Sequence, residues 1–315
     1  MSVYCIGETV LDIIFSEGIP VAAKPGGSML NSAVSLGRAG VPVNFISDFA
    51  RDQPGDIIDR FLVQNMVGTQ FIDRYNDGKT TLALAFLDQK QDAEYSFYKI
   101  FPKKRLNISM PGTKKGDFIL FGSSYALTGT FRKKLTDYIS KARSNGAFIL
   151  YDPNFRKVHL AELKKVKPWI IENIGLSSMV RGSDEDFLHI FGVNDARSAF
   201  DYVSEAGCPM LIYTRNKEKV EVVTKDFIKA YSVKPIVPVS TIGAGDAFNA
   251  GIIYALTSLF SKEGSIRGPA SENWTSQHWE YLIKTGISFS SDVCQSLDNY
   301  ISQDYSNQLM TNHSS

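Results

Sequence analysis

The chain has 315 residues, 34 Lys and Arg against 33 Asp and Glu, and a formal net charge of +1. That balance sets up no long-range field for a phosphate backbone or an anionic lipid surface, which argues against a nucleic-acid or membrane partner. A hydrophobic fraction of 43%, a charged fraction of 21% and 24 glycines exclude disorder, collagen and coiled coil, and the length suffices for one large α/β domain or two smaller ones.

Residues 1–7 (MSVYCIG) lack the charged start and apolar core of a signal peptide. Short, nearly continuous apolar runs follow at 3–7 (VYCIG), 43–48 (VNFISD), 117–122 (DFILFG), 147–152 (AFILYD) and 210–214 (MLIYT). Such runs suit strands buried on both faces of a parallel sheet. Helical periodicity occupies 31–39, 55–66, 131–144 and 196–206 between them. The clearest βαβ unit spans 117–152, its helix stopping at Asn145-Gly146. The fold class is therefore α/β and doubly wound.

Two β-rich runs, 80–88 (TTLALAFLD) and 94–101 (EYSFYKIF), have only the polar turn 89–93 between them. No helix intervenes, so they predict a hairpin outside the parallel sheet, serving as an edge or as a lid. The most apolar helical stretch, 247–260, is broken by Asn249, Thr257 and Ser258 and is too short for a bilayer. Cys5, Cys208 and Cys294 are far apart and odd in number, which predicts a reducing, cytoplasmic setting; His159, His189, His278 and His313 show no metal-ligand spacing. Ser, Thr and Asn enrichment near the C-terminus predicts a flexible tail at 306–315.

The segment that carries chemistry is 239–251, VSTIGAGDAFNAG. An extended approach runs into Gly243-Ala244-Gly245, and a helical pattern continues from there. Glycines at a helix start admit a ligand close to the backbone, and the free N–H groups of the first turn face an anion along the helix dipole. Asp246 sits in that turn. A lone Asp there more often only stabilises the helix end, but beside a glycine anion hole it supplies a base next to a phosphoryl cradle. Two look-alikes fail: Gly78-Lys79-Thr80 lacks the first glycine of a P-loop, where Asp73 stands, and GAGDAF has Phe248 where a dinucleotide fingerprint needs its third glycine.

Together with Gly26-Gly27-Ser28-Met29-Leu30-Asn31, the GAGD helix start resembles the two signatures of the ribokinase-like (PfkB) carbohydrate kinases. The resemblance runs from 7–12 (GETVLD) to about Cys294, with the motifs in the family's order and spacing. It is nearest to the fructokinases and 2-keto-3-deoxygluconate kinases, whose TTLAF…LD hairpin, FYR-like element (Phe97-Tyr98-Lys99) and DPNxR segment (152–156) are echoed. The implied fold is a three-layer αβα sandwich with a mostly parallel sheet, a single domain over 1–305 whose small β lid is formed by about 13–25 and 72–105.

The implied chemistry is ATP-dependent phosphorylation of a sugar hydroxyl. Asp246 would be the base, and Gly243, Ala244 and Gly245 the anion hole. Asp12, Gly26, Gly27, Asn31, Tyr98, Lys99 and Arg156 would bind sugar, and Ser183, Thr214, Asn216, Gly243 and Gly245 would bind ATP. Magnesium would be held mainly by phosphates and water, linked to Asp186 or Glu185 through water. Read without the resemblance, Asn31 is a helix cap, Asp12 a turn residue and Arg156 a surface cation at a strand's C-terminal edge. The family's lids often pair between subunits, implying a homodimer.

Three departures stand out. Ser240 replaces the family Asp that helps coordinate a monovalent cation, so potassium activation is expected to be weak or absent. The NxxE element reads Ser183-Asp184-Glu185-Asp186, and the TxGxxG nucleotide segment, 214–219 (TRNKEK), lacks both glycines. The leading expectation is a ketose kinase, with fructose first and a keto-deoxy-sugar acid next. A catalytically weakened regulatory binding protein is the alternative from another class, and a dehydrogenase is a distant third.

Overall fold

The structure, a computed structural model, describes residues 1–87, 93–215, 218–263 and 274–313. In chain order the strands are β1 Val3–Ile6, β2 Val10–Ser16, β3 Ile19–Gly26, β4 Val43–Ala50, β5 Val67–Tyr75, β6 Lys79–Leu87, β7 Ala93–Ile100, β8 Phe118–Gly122, β9 Phe148–Asp152, β10 Met179–Ser183, β11 Leu211–Arg215, β12 Lys219–Val223 and β13 Ile228–Ser232. The α-helices are α1 Ser28–Arg38, α2 Gln53–Gln64, α3 Arg132–Ser144, α4 Leu163–Leu176, α5 Asp184–Phe191, α6 Ala196–Glu205, α7 Ala244–Glu263, α8 Ser276–Val293 and α9 Gln303–His313.

Among the described residues the large sheet has nine strands in the order β13-β12-β11-β10-β9-β8-β1-β4-β5. It is parallel from β5 to β11 and ends in the antiparallel β12 and β13. Strand alternation divides its side chains between two cores. Val3, Cys5, Phe118, Leu120, Phe148 and Leu150 pack with α1, α2, α7 and α8 on one face. Tyr4, Ile6, Ile119, Phe121, Ile149 and Tyr151 pack with α3, α4, α5 and α6 on the other. This is the αβα sandwich, and its two-sided burial is why the strands read as unbroken apolar runs.

Local signals set the helix ends. Asp52 caps α2 by accepting from Gly55 N at 3.0 Å, with Pro54 in the first turn, and Ser183 with Asp186 forms a capping box on α5. α3 stops at Asn145-Gly146, as the sequence predicts.

A second sheet of four strands, β3-β2-β6-β7, stands outside the first; β2 and β6 run parallel and the outer pairs antiparallel. The hairpin expected from residues 80–101 is β6 and β7, and part of its turn, 88–92, lies outside the described residues. Residues 72–75, expected in the lid, instead pair with β4 as the end of β5. Asp52 also accepts from Thr80 N at 3.0 Å and Thr80 Oγ1 at 2.5 Å, fastening β6 to the start of α2.

The C-terminus departs from expectation. Where fraying was predicted beyond 305, α9 continues to His313, Ser306 is fully buried, and its Oγ donates to Arg38 O at 2.5 Å. Tyr305 and Leu309 pack against the first core. Polar composition hid an amphipathic helix.

Candidate active site

The C-terminal ends of β9, β10 and β11 meet the N-terminal ends of α1 and α7 at one edge of the large sheet, where open α/β folds place ligands. Both helix starts depend on glycine. Gly27 has φ 134° and a Cβ there would lie 2.3 Å from Glu8 O; Gly243 has φ 82° and a Cβ there would lie 2.5 Å from Asn299 O. Ala244 N donates to Thr241 O at 3.3 Å, so this N–H of the expected anion hole is turned toward its own loop.

Asp246 is 7% exposed in the first turn of α7. Its Oδ1 accepts from Ser28 Oγ at 2.5 Å and its Oδ2 from Asn31 Nδ2 at 2.9 Å, while Ser32 Oγ donates to its carbonyl at 2.8 Å. Burial pushes the carboxyl above the ordinary range; the Ser28 and Asn31 bonds work against that, the Asp152 charge adds to it and Arg156 opposes it. Asn31 thus lies inside α1, where Gly27 holds the cap position, and bonds the carboxylate directly; its Oδ1 is buried without a protein partner. Ser28 was singled out by no sequence pattern beyond its place inside GGxxxN.

The small sheet carries Asp12. Register pairs Asp12 with Ala83, Ala83 with Phe97 and Ala85 with Tyr95, so these side chains share one face. Burial pushes the Asp12 carboxyl up to about 6, and a Cβ on Gly26 would lie 2.3 Å from Asp12 Oδ2, which explains the glycine there. Burial raises the Tyr95 phenol, followed by the Asp12 charge, with Arg156 opposing. Arg156 therefore lies in electrostatic reach of both Tyr95 and Asp246.

Tyr98 and Lys99 were expected to reach the sugar together, which strand alternation forbids. Tyr98 projects from the opposite face, 59% exposed, whereas Lys99 Nζ lies 4.9 Å from the Phe97 ring centroid on the Asp12 face. Tyr95 is the tyrosine on that face, and counting back from Lys99 in twos would have found it.

The nucleotide-side residues separate. Ser183 and Thr214 end β10 and the adjacent part of β11, paired in register. Thr214 Oγ1 accepts from Arg181 Nη2 at 2.8 Å. Asn216 lies outside the described residues; the glycine-free segment around it links the antiparallel β11 and β12, where Arg215 pairs with Lys219. Asp186 is committed internally, its Oδ1 accepting from Phe155 N at 2.6 Å and its Oδ2 from Ser183 N and Oγ at 2.8 and 2.7 Å. Glu185 is exposed. Ser240 Oγ accepts from Ile242 N at 3.2 Å.

Sequence reading also missed a buried network behind the α7 start, in which Asp152 Oδ2 accepts from Asn249 Nδ2 at 2.6 Å and Arg181 Nη1 at 3.1 Å. Among the described residues no group of three or more His, Cys, Asp or Glu converges as a metal cage. The donor set suits a hard cation carried by a ligand's own oxygens, with Glu185 the free acid nearby in sequence. Chemically, the site offers a buried carboxylate fixed by two donors at a helix N-terminus, suited to accept a proton from a hydroxyl beside a bound anion.

The profile of the pfkB family carbohydrate kinases matches residues 2–296. The fructokinase of Vibrio alginolyticus is 22% identical over 257 residues, covering 81% of this chain and 84% of its own. The aminoimidazole riboside kinase of Salmonella typhimurium is 23% identical over 259 residues, covering 81% of each chain. In three dimensions the chain resembles a double mutant of the fructokinase from Vibrio cholerae O395, crystallised with fructose, ADP and potassium, at a TM-score of 0.82 and 18% identity over 98% of this chain and 97% of that one.

Proposed function

The chain belongs to the pfkB family of carbohydrate kinases and is a sugar kinase, and from that premise we propose that it transfers the γ-phosphoryl group of ATP to a primary hydroxyl of a ketose, fructose first among them. The observation that carries this reading is the Asp246 carboxylate, held by Ser28 and Asn31 at the head of α7. Asp246 takes the proton from the acceptor hydroxyl, while backbone N–H groups around Gly243 and Gly245 face the phosphoryl charge. Positioning and charge stabilisation supply most of such a transfer, so a carboxylate suffices as base. Magnesium, bound through ATP phosphates and water, would neutralise part of the phosphate charge.

Sugar hydroxyls fall to Asp12, to the free Oδ1 of Asn31 and to the Gly26-Gly27 turn, with Arg156 and Lys99 at the rim. Tyr95 takes the place first given to Tyr98. The four-stranded sheet serves as the lid, closing Asp12 over the site and excluding water that would otherwise hydrolyse ATP. ATP lies along Ser183 and Thr214. The fructokinase relatives support fructose, and the aminoimidazole riboside kinase among them marks a riboside as a competing acceptor. Arg156, a cation in reach of Asp246, favours a sugar acid as second choice, through pairing with its carboxylate.

The outer face of the small sheet carries Phe15 and Phe86, stacked at 4.9 Å, with Ile13, Leu84 and Tyr98 in the same rows. Phe86 is 41% and Tyr98 59% exposed, and a second copy of the chain covering this face would give a homodimer. Phe86→Glu would then yield a monomer in sedimentation. Three free, buried cysteines suit a reducing cytoplasm.

Coupled ADP release measured with a panel of ketoses, ribosides and keto-sugar acids, beside Asp246→Asn, tests the reading. Sugar-dependent turnover should fall at least a thousandfold in the variant, roughly as removal of an essential base does. Turnover surviving in Asp246→Asn would overturn the base. Saturable binding of sugar without turnover would support the regulatory alternative.

A further inference from the structure

Asp152 ends β9, Arg181 lies in the middle of β10 and Thr214 stands one residue before the end of β11, behind the start of α7. Asp152 is fully buried, and besides Arg181 and Asn249 it accepts from Asn154 N at 3.0 Å. The Arg181 side chain is 11% exposed, its Nε is buried without a partner, and its guanidinium lies 5.7 Å from the Phe248 ring centroid. A Cβ placed on Gly245 would be 2.9 Å from Nη1 and 3.2 Å from Nη2. The guanidinium therefore packs directly on the backbone of the second anion-hole glycine, and a Cβ there would require the guanidinium to shift.

A buried anion is badly placed beside a cradle for phosphates, because like charges at low dielectric repel strongly. Resting on the sugar-kinase reading, we propose that Arg181 is a positioning residue for phosphoryl transfer: its guanidinium cancels the Asp152 charge and fixes the Gly245 backbone, so that the first turn of α7 meets phosphates with positive potential. The groups around Asp246 are Asp152 and Arg156 from β9 and the loop after it, Arg181 from β10, and the donors Ser28 and Asn31 from α1; Asp12 and Tyr95 of the small sheet stand across Arg156. Of these, Asp152 is the one whose charge presses on Asp246 and is paired by Arg181.

The test uses Arg181→Met, Arg181→Lys and the double variant Arg181→Met/Asp152→Asn, each read by thermal melting, by ATP affinity in calorimetry and by the pH profile of kcat/KM. Arg181→Met is expected to weaken ATP binding at least fivefold, to lower kcat at least tenfold and to move the acid limb to higher pH. Adding Asp152→Asn returns the limb toward its original place, and Arg181→Lys leaves it there. A folded Arg181→Met with unchanged ATP affinity and an unmoved limb overturns the proposal, as does a double variant whose limb fails to return. Should Arg181→Met not fold, the double variant, in which neither charge remains, is compared with Asp152→Asn, in which the guanidinium stands alone: tighter ATP binding in Asp152→Asn than in the double variant supports the proposal, and equal binding overturns it. If the unaltered protein turns over no sugar, the kinase reading fails by itself, and the ATP titrations, which need no turnover, still decide the role of Arg181.

Discussion

Ser28 Oγ donates to Asp246 Oδ1 at 2.5 Å, joining the first turns of α1 and α7 across 218 positions of sequence. That bond opposes the upward push of burial on the carboxyl. Ser28→Ala should therefore raise the pKa of Asp246 and leave less carboxylate at a given pH. The expected result is an acid limb of kcat/KM displaced to higher pH, with the alkaline plateau little changed. A profile superimposable on the unaltered protein would show that Ser28 does not tune the base.

Asp12 places a cost on the fold. Its folded pKa, about 6, lies above the ordinary carboxylate value, so the folded state holds the proton more tightly than the unfolded chain. Stability from this group is fully present below the ordinary value and is lost as pH rises through 6. Asp12→Asn should stabilise the ligand-free protein at pH 8 by roughly 1–2 kcal/mol, allowing for partial solvent screening, and the gain should shrink toward pH 5. Melting curves at the two pH values check the sign, and sugar affinity should fall in the same variant.

Asp48 receives Arg105 through Nε at 2.8 Å and Nη2 at 2.9 Å, and Tyr125 OH at 2.9 Å. Its side chain is fully buried and that of Arg105 is 8% exposed. Asp48→Ala strands a buried guanidinium and should cost about 3–5 kcal/mol in urea unfolding. Replacing both residues with apolar side chains should cost much less, which separates lost pairing from lost packing.

α7 and α8 approach closely at Gly251 and Gly286, where a Cβ on Gly251 would lie 2.8 Å from Gly286 Cα. A Cβ on Gly286 would meet the Phe248 ring at 2.8 Å, two residues along α7 from the candidate base. Gly286→Val should destabilise by about 1–3 kcal/mol and lower activity by displacing α7. A urea midpoint equal to that of the unaltered protein would show that the helices can separate freely.

Ser240 offers no carboxylate, and its hydroxyl is occupied by Ile242 N. Replacing sodium by potassium should change sugar-dependent ADP release less than twofold, because a neutral hydroxyl attracts a cation far less than a carboxylate does. A large increase would assign the cation site to other groups.

Legibility followed the range of the physical signal. β1, β8 and β9 read clearly because both faces are buried and the apolar run is unbroken. The α7 start was readable because its glycines and carboxylate are adjacent in sequence. Tyr98 was misplaced because alternation fixes which residues share a face but not which face is turned inward, and α9 was missed because polar residues outnumber the few that anchor it.

By itself the sequence determined the α/β class, the hairpin, and the place of Asp246 beside two glycines at a helix start, since each rests on local periodicity or on neighbours within one helical turn. Only the tertiary structure decided that Ser28 and Asn31 hold that carboxylate, that Asp186 is consumed by a cap, and that Arg181 lies against Gly245 over Asp152. These are contacts between residues tens to hundreds of positions apart. Their partners are chosen by which strand ends and helix starts the sheet order brings to one edge, and no local pattern in the chain encodes that order.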